Sequence, residues 1–277
     1  MSHTRVSFLI APLDPWRDIL MVELGELGYD SYEETTGGLD AYIPTAGFDA
    51  VAISRLMTLR DPHVTVSWSH VRMEPRNWNA EWERSFQPVE VGHEVRIRAE
   101  HHPSVPGFKH ELVVTPRMAF GTGHHATTRM MVKAMLGLDL AGHAVCDLGC
   151  GTAVLAILAE RMGAAEVMAI DNDQQAVDNA RETVERNGCH AITVEKGDAG
   201  SLQGRTFDVI LANIERNTLL LAMPLMAAAL ARNGVLFLSG FVVADRHLLA
   251  ERALALGLVP SEQLEEGEWA LLGCRRS

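Results

Sequence analysis

The chain has 277 residues, of which 47% are hydrophobic, and its 24 basic and 36 acidic side chains give a formal net charge of −12. This length is sufficient for one large α/β domain and a smaller one, each with its own core. The acidic balance disfavours proteins that grip long stretches of phosphate backbone, so a basic protein or a small cationic ligand is the expected partner.

Cysteine usage and hydropathy indicate the compartment. The four cysteines form no C-x-x-C pair and have no companions at zinc-finger spacing. The apolar run near the start of the chain is broken by a proline and an aspartate, and it is too short for the core of a signal peptide. No uninterrupted apolar run is long enough to span a bilayer. We therefore expect a reduced, cytoplasmic protein without membrane contact.

Residues 1–75 predict a small α+β domain with the element order β-α-β-β-α-β, which is the ferredoxin-like arrangement. The predicted strands are Val6–Ile10, Tyr29–Glu34, Leu39–Ile43 and His63–Val71, and the predicted helices are Pro15–Leu27 and Ala50–Leu59. Such a sheet also supports RNA-recognition modules. This region has no lysine, more Asp and Glu than Arg, and no base-stacking aromatic pattern, so RNA binding is disfavoured.

Residues 76–116 are predicted to form a connector. Val89–Ala99 and Glu111–Thr115 are expected to be strands, and two prolines and a glycine predict a loop at His101–Gly107. Trp78 and Trp82 are four residues apart and would share one helical face, packed against a domain or exposed to a partner.

Residues 117–277 alternate strands and helices, which predicts a seven-stranded, mostly parallel sheet. The predicted strands are Ala144–Asp147, Val167–Asp171, Ile192–Glu195, Phe207–Ala212, Gly234–Ser239, Leu258–Leu264 and Trp269–Cys274, and the predicted helices include Val154–Met162, Gln174–Asn187 and Leu219–Ala231. The short loop before the last strand forbids a helical crossover, so the last two strands should pair antiparallel. This Rossmann-like pattern resembles the class I methyltransferase fold.

The segment Asp147–Ala153 (D-L-G-C-G-T-A) carries the first chemical signal. Gly149 and Gly151 would let the backbone turn tightly and approach a ligand at the carboxyl end of a strand. A dinucleotide fingerprint fails here, because Val154 occupies its third glycine position. The acidic Asp147 before the glycines also suits the cationic sulfonium of S-adenosylmethionine better than a pyrophosphate.

The next two predicted strands also end in carboxylates. Asp171 lies about one β-α-β step past the glycines, where it could accept both ribose hydroxyls of a nucleoside. Asp173 is the alternative for that role, or it caps the following helix. Asp198, after the third strand, could accept the adenine amino group.

The fourth strand leads into A-N-I-E-R, which brings Asn213 and Glu215 to the same edge of the sheet. The Asn213 amide could hold an amine nucleophile by its N–H group and aim the nitrogen lone pair at a methyl group. Methyl transfer to an amine depends mostly on positioning and desolvation, and the amine must first lose a proton. Whether Glu215 or water takes that proton stays open at this point.

The segment Pro116–Thr128 (P-R-M-A-F-G-T-G-H-H-A-T-T) precedes an apolar helix. It is no Walker A loop, because no lysine follows its glycines. Its threonines are expected to cap the helix and leave N–H groups for a carboxylate. His124 and His125 suggest a metal, but adjacent side chains point apart and lack an acidic third ligand, so no metal is predicted.

Together these segments resemble the PrmA family, the methyltransferases of large-subunit ribosomal protein eleven. The resemblance rests on F-G-T-G-H-H-A-T-T, D-L-G-C-G-T-A, A-I-D-N-D and A-N-I-E-R-N, with N-W-N-A-E-W-E-R-S-F-Q-P similar to that family's connector. It departs from many relatives at Thr115 and Arg117, and Ala153 replaces a common glycine.

The resemblance implies a protein N-methyltransferase that uses S-adenosylmethionine to trimethylate lysine and N-terminal amino groups of that ribosomal protein. It also implies an N-terminal substrate-recognition domain over residues 1–75 and a methyltransferase domain over residues 117–277. Cofactor contacts would fall on Thr128, Gly149, Asp171 and Asn213, with Phe120 nearby. A monomer that binds no nucleic acid directly is expected.

Three other functions were compared with these motifs. A class I methyltransferase for another protein, an RNA or a small amine would use the same cofactor residues. A module that senses the cofactor without catalysis would not need the Asn213 position. A nicotinamide dehydrogenase is the weakest alternative, because of the missing third glycine.

Overall fold

The computed structural model describes residues 3–73, 86–115, 121 and 123–277. The chain divides into two compact units, residues 1–78 and 79–277. The predicted connector residues Trp78 and Trp82 lie outside the described residues. The strands that were expected in the connector belong to the second unit.

The first unit has the predicted order of strands and helices. Its strands are β1 (His3–Ala11), β2 (Ser31–Thr35), β3 (Gly38–Pro44) and β4 (Thr65–Arg72), and its helices are α1 (Trp16–Glu26) and α2 (Ala50–Ile53). The sheet order is β2-β3-β1-β4, with every pair antiparallel. Alternate residues of β1 and β3 bury one sheet face with Leu20 and Leu24 of α1.

The second helix is shorter than predicted. It was expected over Ala50–Leu59 but ends at Ile53, followed by a 3₁₀ turn over Thr58–Arg60. The carboxylate of Glu23 accepts hydrogen bonds from the backbone N–H groups of Met57 and Thr58 and from the Thr58 hydroxyl, at 2.7, 3.1 and 2.6 Å. These long-range bonds take N–H groups that a continuing helix would need.

The second unit begins with a three-stranded sheet formed by β5 (Val89–Val91), β6 (Val95–Ala99) and β7 (His110–Val114). The single strand expected over Val89–Ala99 is a hairpin, because Gly92 turns the chain with φ +58°. The Asn187 side chain accepts from the Val113 N–H at 2.9 Å and donates to its carbonyl at 2.6 Å. The small sheet is thereby fixed to the main domain.

The main domain is a seven-stranded sheet between helical layers. Its elements in chain order are α3 (Ala126–Leu136), β8 (Ala144–Leu148), α4 (Val154–Arg161), β9 (Glu166–Asp171), α5 (Gln174–Arg186), β10 (Ile192–Lys196), β11 (Phe207–Asn213), α6 (Arg216–Ala229), β12 (Leu230–Val242), α7 (Arg246–Ala255), β13 (Leu258–Glu266) and β14 (Trp269–Arg276). The strand order is β10-β9-β8-β11-β12-β14-β13.

The predicted antiparallel hairpin at the end of the chain is confirmed, since β14 runs antiparallel to both β12 and β13. The other neighbouring pairs are parallel. This is the class I methyltransferase fold. The carboxyl ends of β8, β9, β10 and β11 meet at one edge, where ligands of open α/β sheets bind. None of the described helices is long and apolar enough to cross a membrane.

Candidate active site

A cavity of about 470 Å³ opens at the carboxyl ends of the central strands. Its walls come from the turns after β8, β9, β10 and β11 and from α6. Gly240 near the end of β12 and Trp269 at the start of β14 complete them. The lining residues are Leu148, Gly149, Gly151, Asp171, Asn172, Gly197, Asp198, Ala199, Asn213, Ile214, Glu215, Thr218, Ala222, Gly240 and Trp269.

The glycine turn after β8 has the backbone geometry that the sequence predicted. Gly149 has φ +75° and its N–H donates to the Ile170 carbonyl at 2.8 Å. A Cβ at this position would lie 2.1 Å from the Ile214 Cγ2 atom. Gly151 also has a positive φ, at +54°. The absence of side chains therefore keeps the cavity floor open.

Asp147 lies beneath this turn and does not line the cavity. It is 1% exposed, and its Oδ2 accepts from the Ala156 N–H in the first turn of α4 at 3.1 Å. Burial raises the pKa of Asp147 to about 7. The structure thus places the first acidic residue of the motif as a support of α4, outside the cavity lining.

Asp171 and Asp173 have separate positions. Asp171 lines the cavity, and its two carboxylate oxygens accept from the N–H groups of Gly151 and Asp173 at 2.9 and 3.0 Å. Asp173 caps α5 by accepting from the Gln175 N–H at 2.8 Å. Each Asp171 oxygen keeps a second acceptor site free for a ligand hydroxyl.

Asp198 follows β10 and also lines the cavity. Its Oδ1 accepts from the Gly200 N–H at 2.7 Å, where a 3₁₀ turn over Ala199–Leu202 begins. This bond fixes the direction of the carboxylate.

Asn213 ends β11 and is 9% exposed. Its Nδ2 lies 3.5 Å from the Thr128 Oγ1, and Thr128 is 1% exposed in the first turn of α3. The Asn213 Oδ1 is buried and accepts no hydrogen bond from any residue that the structure describes. A buried amide oxygen without a donor loses hydrogen-bond energy unless a ligand supplies one.

The threonines were expected to cap α3, but the cap is His125. Its Nδ1 accepts from the Thr127 N–H at 3.4 Å and lies 2.8 Å from the Thr127 hydroxyl. Burial lowers the pKa of His125, which favours the neutral ring that this acceptor role requires. Thr128 is thereby free to face Asn213.

Glu215 lines the cavity and caps α6, which starts at Arg216 and so earlier than the predicted Leu219. Its carboxylate accepts from the Thr218 N–H at 3.3 Å. Hydrogen bonds from the backbone N–H groups of Asn217 and Thr218 hold the pKa of Glu215 below its usual value. The exposed carboxylate is therefore ionised near neutral pH.

Several cavity residues were not predicted as site residues, and Trp269 and Gly240 are the two with a distinct geometry. Trp269 lines the wall, and its ring centroid lies 4.5 Å from that of His125 at an interplanar angle of 69°. Gly240 has φ +93°, and a Cβ there would lie 2.3 Å from the Ile214 carbonyl oxygen. The G-F pair after the strand was the available signal for Gly240. For Trp269 the sequence gave no signal except that this residue begins a predicted strand.

The F-G-T-G segment is described only in part. Phe120 lies outside the described residues. The Gly121 carbonyl accepts from the Thr152 hydroxyl at 2.7 Å, which joins this segment to the glycine turn. A pocket of about 20 Å³ lies between Gly121, Thr128 and Asn213. No cluster of three or more His, Cys, Asp or Glu side chains that could hold a metal occurs among the described residues.

The family model described as "Ribosomal protein L11 methyltransferase (PrmA)" matches residues 21–277. The chain belongs to this family. A relative from Phocaeicola vulgatus, named ribosomal protein L11 methyltransferase, is 39% identical over 98% of each chain. A Porphyromonas gingivalis relative of the same name is 41% identical over 92% of this chain and 89% of its own length.

Solved structures agree on the fold. A ribosomal protein L11 methylase from Lactobacillus delbrueckii subsp. bulgaricus superposes with a TM-score of 0.64 at 24% identity, over 69% of this chain and 99% of its own. A Thermus thermophilus 16S rRNA methyltransferase in complex with AdoMet and guanosine gives a TM-score of 0.50 at 24% identity, over 58% of this chain and 46% of its own. The family's glycine turn and A-N-I segment thus border one cavity here.

Proposed function

We propose that this protein is an S-adenosylmethionine-dependent N-methyltransferase that trimethylates lysine and N-terminal amino groups of ribosomal protein L11. The observation that carries the proposal is the Asn213 Oδ1 atom, which is buried beside the cavity of a PrmA-family protein and has no donor among the described residues. An amine N–H supplies the missing hydrogen bond.

The cavity fits the methyl donor. The glycine turn leaves room where a Cβ would collide with Ile214, and free acceptor sites of Asp171 face the space expected for ribose hydroxyls. Asp171, Asp198 and Glu215 line the cavity, whereas none of its described lining residues is Lys or Arg, so the cavity suits a cation. The residues proposed to hold the donor are Thr128, Gly149, Gly151, Asp171, Asp198 and Asn213.

When bound, S-adenosylmethionine would supply a methyl group, which a neutral amine takes in line as the carbon–sulfur bond breaks and the neutral thioether leaves. In the first two transfers Asn213 accepts an N–H group of the amine and so directs the nitrogen lone pair. A dimethylated neutral amine has no N–H left, so the third transfer depends on the shape of the cavity alone. Thr128 holds the amide in this orientation through the Asn213 Nδ2. Catalysis is therefore largely a matter of position. Asp147 acts indirectly by fixing α4 below the glycine turn.

The proton of the amine leaves to water in this proposal. Glu215 is a poor base at neutral pH because its hydrogen bonds keep the carboxylate pKa low. Its negative charge instead attracts the ammonium form of the substrate to the cavity. An α-amine, with a reference pKa of about 7.7–8.0, loses its proton more readily than lysine, at about 10.4.

Trp269 gives the cavity an aromatic wall that suits methylated ammonium groups. Methylation leaves the product cationic and less able to donate hydrogen bonds. An indole face attracts such cations with about 0.5–2 kcal/mol, without needing an N–H donor. Successive methyl transfers to one nitrogen are compatible with this wall.

Substrate recognition is proposed for the N-terminal domain over residues 1–75, joined by residues 76–116 to a methyltransferase domain over residues 117–277. The first domain has no lysine and an acidic balance, which complements a basic ribosomal protein. We further propose a cytoplasmic monomer that binds the free protein and no nucleic acid directly. All four cysteines are free and buried, in keeping with a reducing compartment.

The test is incubation with radiolabelled S-adenosylmethionine and, separately, ribosomal protein L11, ribosomal RNA and a lysine-rich peptide. Label in ribosomal protein L11 alone is expected. Label in the RNA or equally in the peptide would favour a class I methyltransferase of another substrate. Cofactor binding without transfer to any of the three would favour a sensor module.

A further inference from the structure

An ion-pair cluster lies beside the cavity and outside the residues assigned above. Arg129 donates through Nε and one terminal nitrogen to the Glu266 Oε1, at 2.7 and 2.5 Å. The Lys133 Nζ lies 3.5 Å from the Glu266 Oε2. Arg129 also donates to the His124 carbonyl. The cluster joins the first turns of α3 to the end of β13.

On the helix side, Arg129 directly follows Thr128, the partner of the Asn213 amide. The backbone N–H groups of both residues donate to the His125 carbonyl, at 3.1 Å from Thr128 and 3.2 Å from Arg129. A shift of Arg129 therefore moves Thr128 with it, because the two share one helical turn.

On the hairpin side, Glu266 pairs directly with Trp269 across β13 and β14. Trp269 lines the cavity and contacts the His125 ring. The start of helix α3 and the hairpin thus meet through an ion pair and through an aromatic contact.

We propose that Arg129 and Glu266 are positioning residues for methyl transfer: their ion pair fixes the distance between the Thr128–Asn213 pair and the Trp269 wall. The inference rests on the proposed function. A displacement of about 1 Å at a reacting centre can cost about 100-fold in rate, so an ion pair that contributes little to stability can still matter for turnover.

Because the pair is partly exposed, its effect on turnover can be measured apart from its effect on stability. The Arg129 and Glu266 side chains are 27% and 30% exposed. Partly exposed ion pairs contribute about 0–1 kcal/mol to stability because water and salt screen them. Loss of the pair should therefore leave the protein folded while changing the geometry of α3.

Glu265, which precedes Glu266 in β13, offers a matched control. Glu265 forms an ion pair with Arg246 of α7, and these side chains are 49% and 28% exposed. Glu265 and Glu266 are adjacent in β13, so their side chains point to opposite faces of the sheet. The control pair has similar chemistry but joins the hairpin to a helix that carries none of the cavity-lining residues.

The experiment measures steady-state methylation of ribosomal protein L11 and calorimetric cofactor binding for Glu266→Gln, Arg129→Glu and the charge-swapped Arg129→Glu/Glu266→Arg protein. Each single variant is expected to lower kcat at least about tenfold, with a smaller change in the cofactor Kd. The swapped protein should recover part of the lost kcat, because the ion pair is restored although Lys133 then faces an arginine. Arg246→Glu and Glu265→Gln should retain wild-type kcat.

Three results would overturn the inference: wild-type kcat in both single variants, no recovery in the swapped protein, or an equal loss in the control variants. An inactive wild-type protein would instead contradict the proposed function. In that case hydrogen exchange still tests whether the ion pair fixes α3, because exchange must increase in the first turn of α3 in Glu266→Gln but not in Glu265→Gln. Equal protection in both would refute the inference.

Discussion

The Asn213 Nδ2 faces the Thr128 hydroxyl at 3.5 Å, and the Oδ1 of the same amide is an acceptor with no donor in the described part of the chain. The two residues come from the end of β11 and from the first turn of α3, 85 positions apart. One contact thus joins the A-N-I segment to the H-H-A-T-T segment and fixes the direction in which an amine would be held.

Replacement of Asn213 by Ala is expected to lower kcat about 100-fold, because the amine loses the acceptor that directs its lone pair. Cofactor binding should weaken much less. Steady-state kinetics together with calorimetry separate the two effects. Asn217→Ala serves as the control. Among the described residues, the exposed Asn217 side chain hydrogen-bonds only to the neighbouring Arg216. Equal kcat in Asn213→Ala and wild type would remove the proposed role.

Asp171→Ala should weaken cofactor binding by roughly 10- to 100-fold, because two ribose hydroxyls lose a charged acceptor. Asp173→Ala is the matched variant. It should lower the free energy of unfolding by about 1 kcal/mol through loss of the α5 cap, with cofactor affinity retained. Titration calorimetry and urea unfolding measure the two quantities. Unchanged affinity in Asp171→Ala would assign the ribose contact to Asp173.

Gly149→Ala is expected to lower the free energy of unfolding by more than about 2 kcal/mol, since left-handed backbone strain adds to a collision with Ile214. Gly204 has nearly the same φ, +76°, and a Cβ added there would meet no atom within 4 Å, so Gly204→Ala should show the strain alone. The additional variant Ile214→Ala should partly rescue Gly149→Ala. Equal losses at the two glycines would show that the predicted collision is absent.

The pKa of Asp147 makes stability depend on pH. Burial raises it from 3.8 to about 7, so the folded chain keeps a proton that the unfolded chain has released. The stability that protonated Asp147 contributes is fully present below pH 3.8 and is lost as the pH rises towards about 7. Relative to wild type, Asp147→Asn should therefore gain stability across this range. Parallel stability curves from urea unfolding would contradict this prediction.

The sequence predicted well those features that local chemistry determines. A tight turn needs a residue that adopts positive φ, and Gly149 supplies it. Because the turn follows a parallel strand, it lies at the carboxyl edge of the sheet, where ligands bind. The short loop before β14 likewise determines an antiparallel partner. Asp173 was recognised as a possible cap because capping needs only two neighbouring residues.

Features that depend on distant contacts were missed. Glu23 ends the second helix from another element, and nothing near Ala50–Leu59 indicates this. Trp269 reaches the cavity through its pairing with Val242 in β12 and Glu266 in β13. His125 caps α3 in place of the threonines because its ring turns back onto the Thr127 N–H. Burial of Asp147 beneath the turn also follows only from the packed sheet.

Amine methylation of ribosomal protein L11 can be measured by intact-mass spectrometry of that protein. After incubation with enzyme and S-adenosylmethionine, the wild-type protein is expected to produce mass increments of successive methyl groups on lysine and the N-terminal amine, and Asn213→Ala is expected to produce few. An unchanged mass with folded, cofactor-binding wild-type protein would show that ribosomal protein L11 is not its substrate.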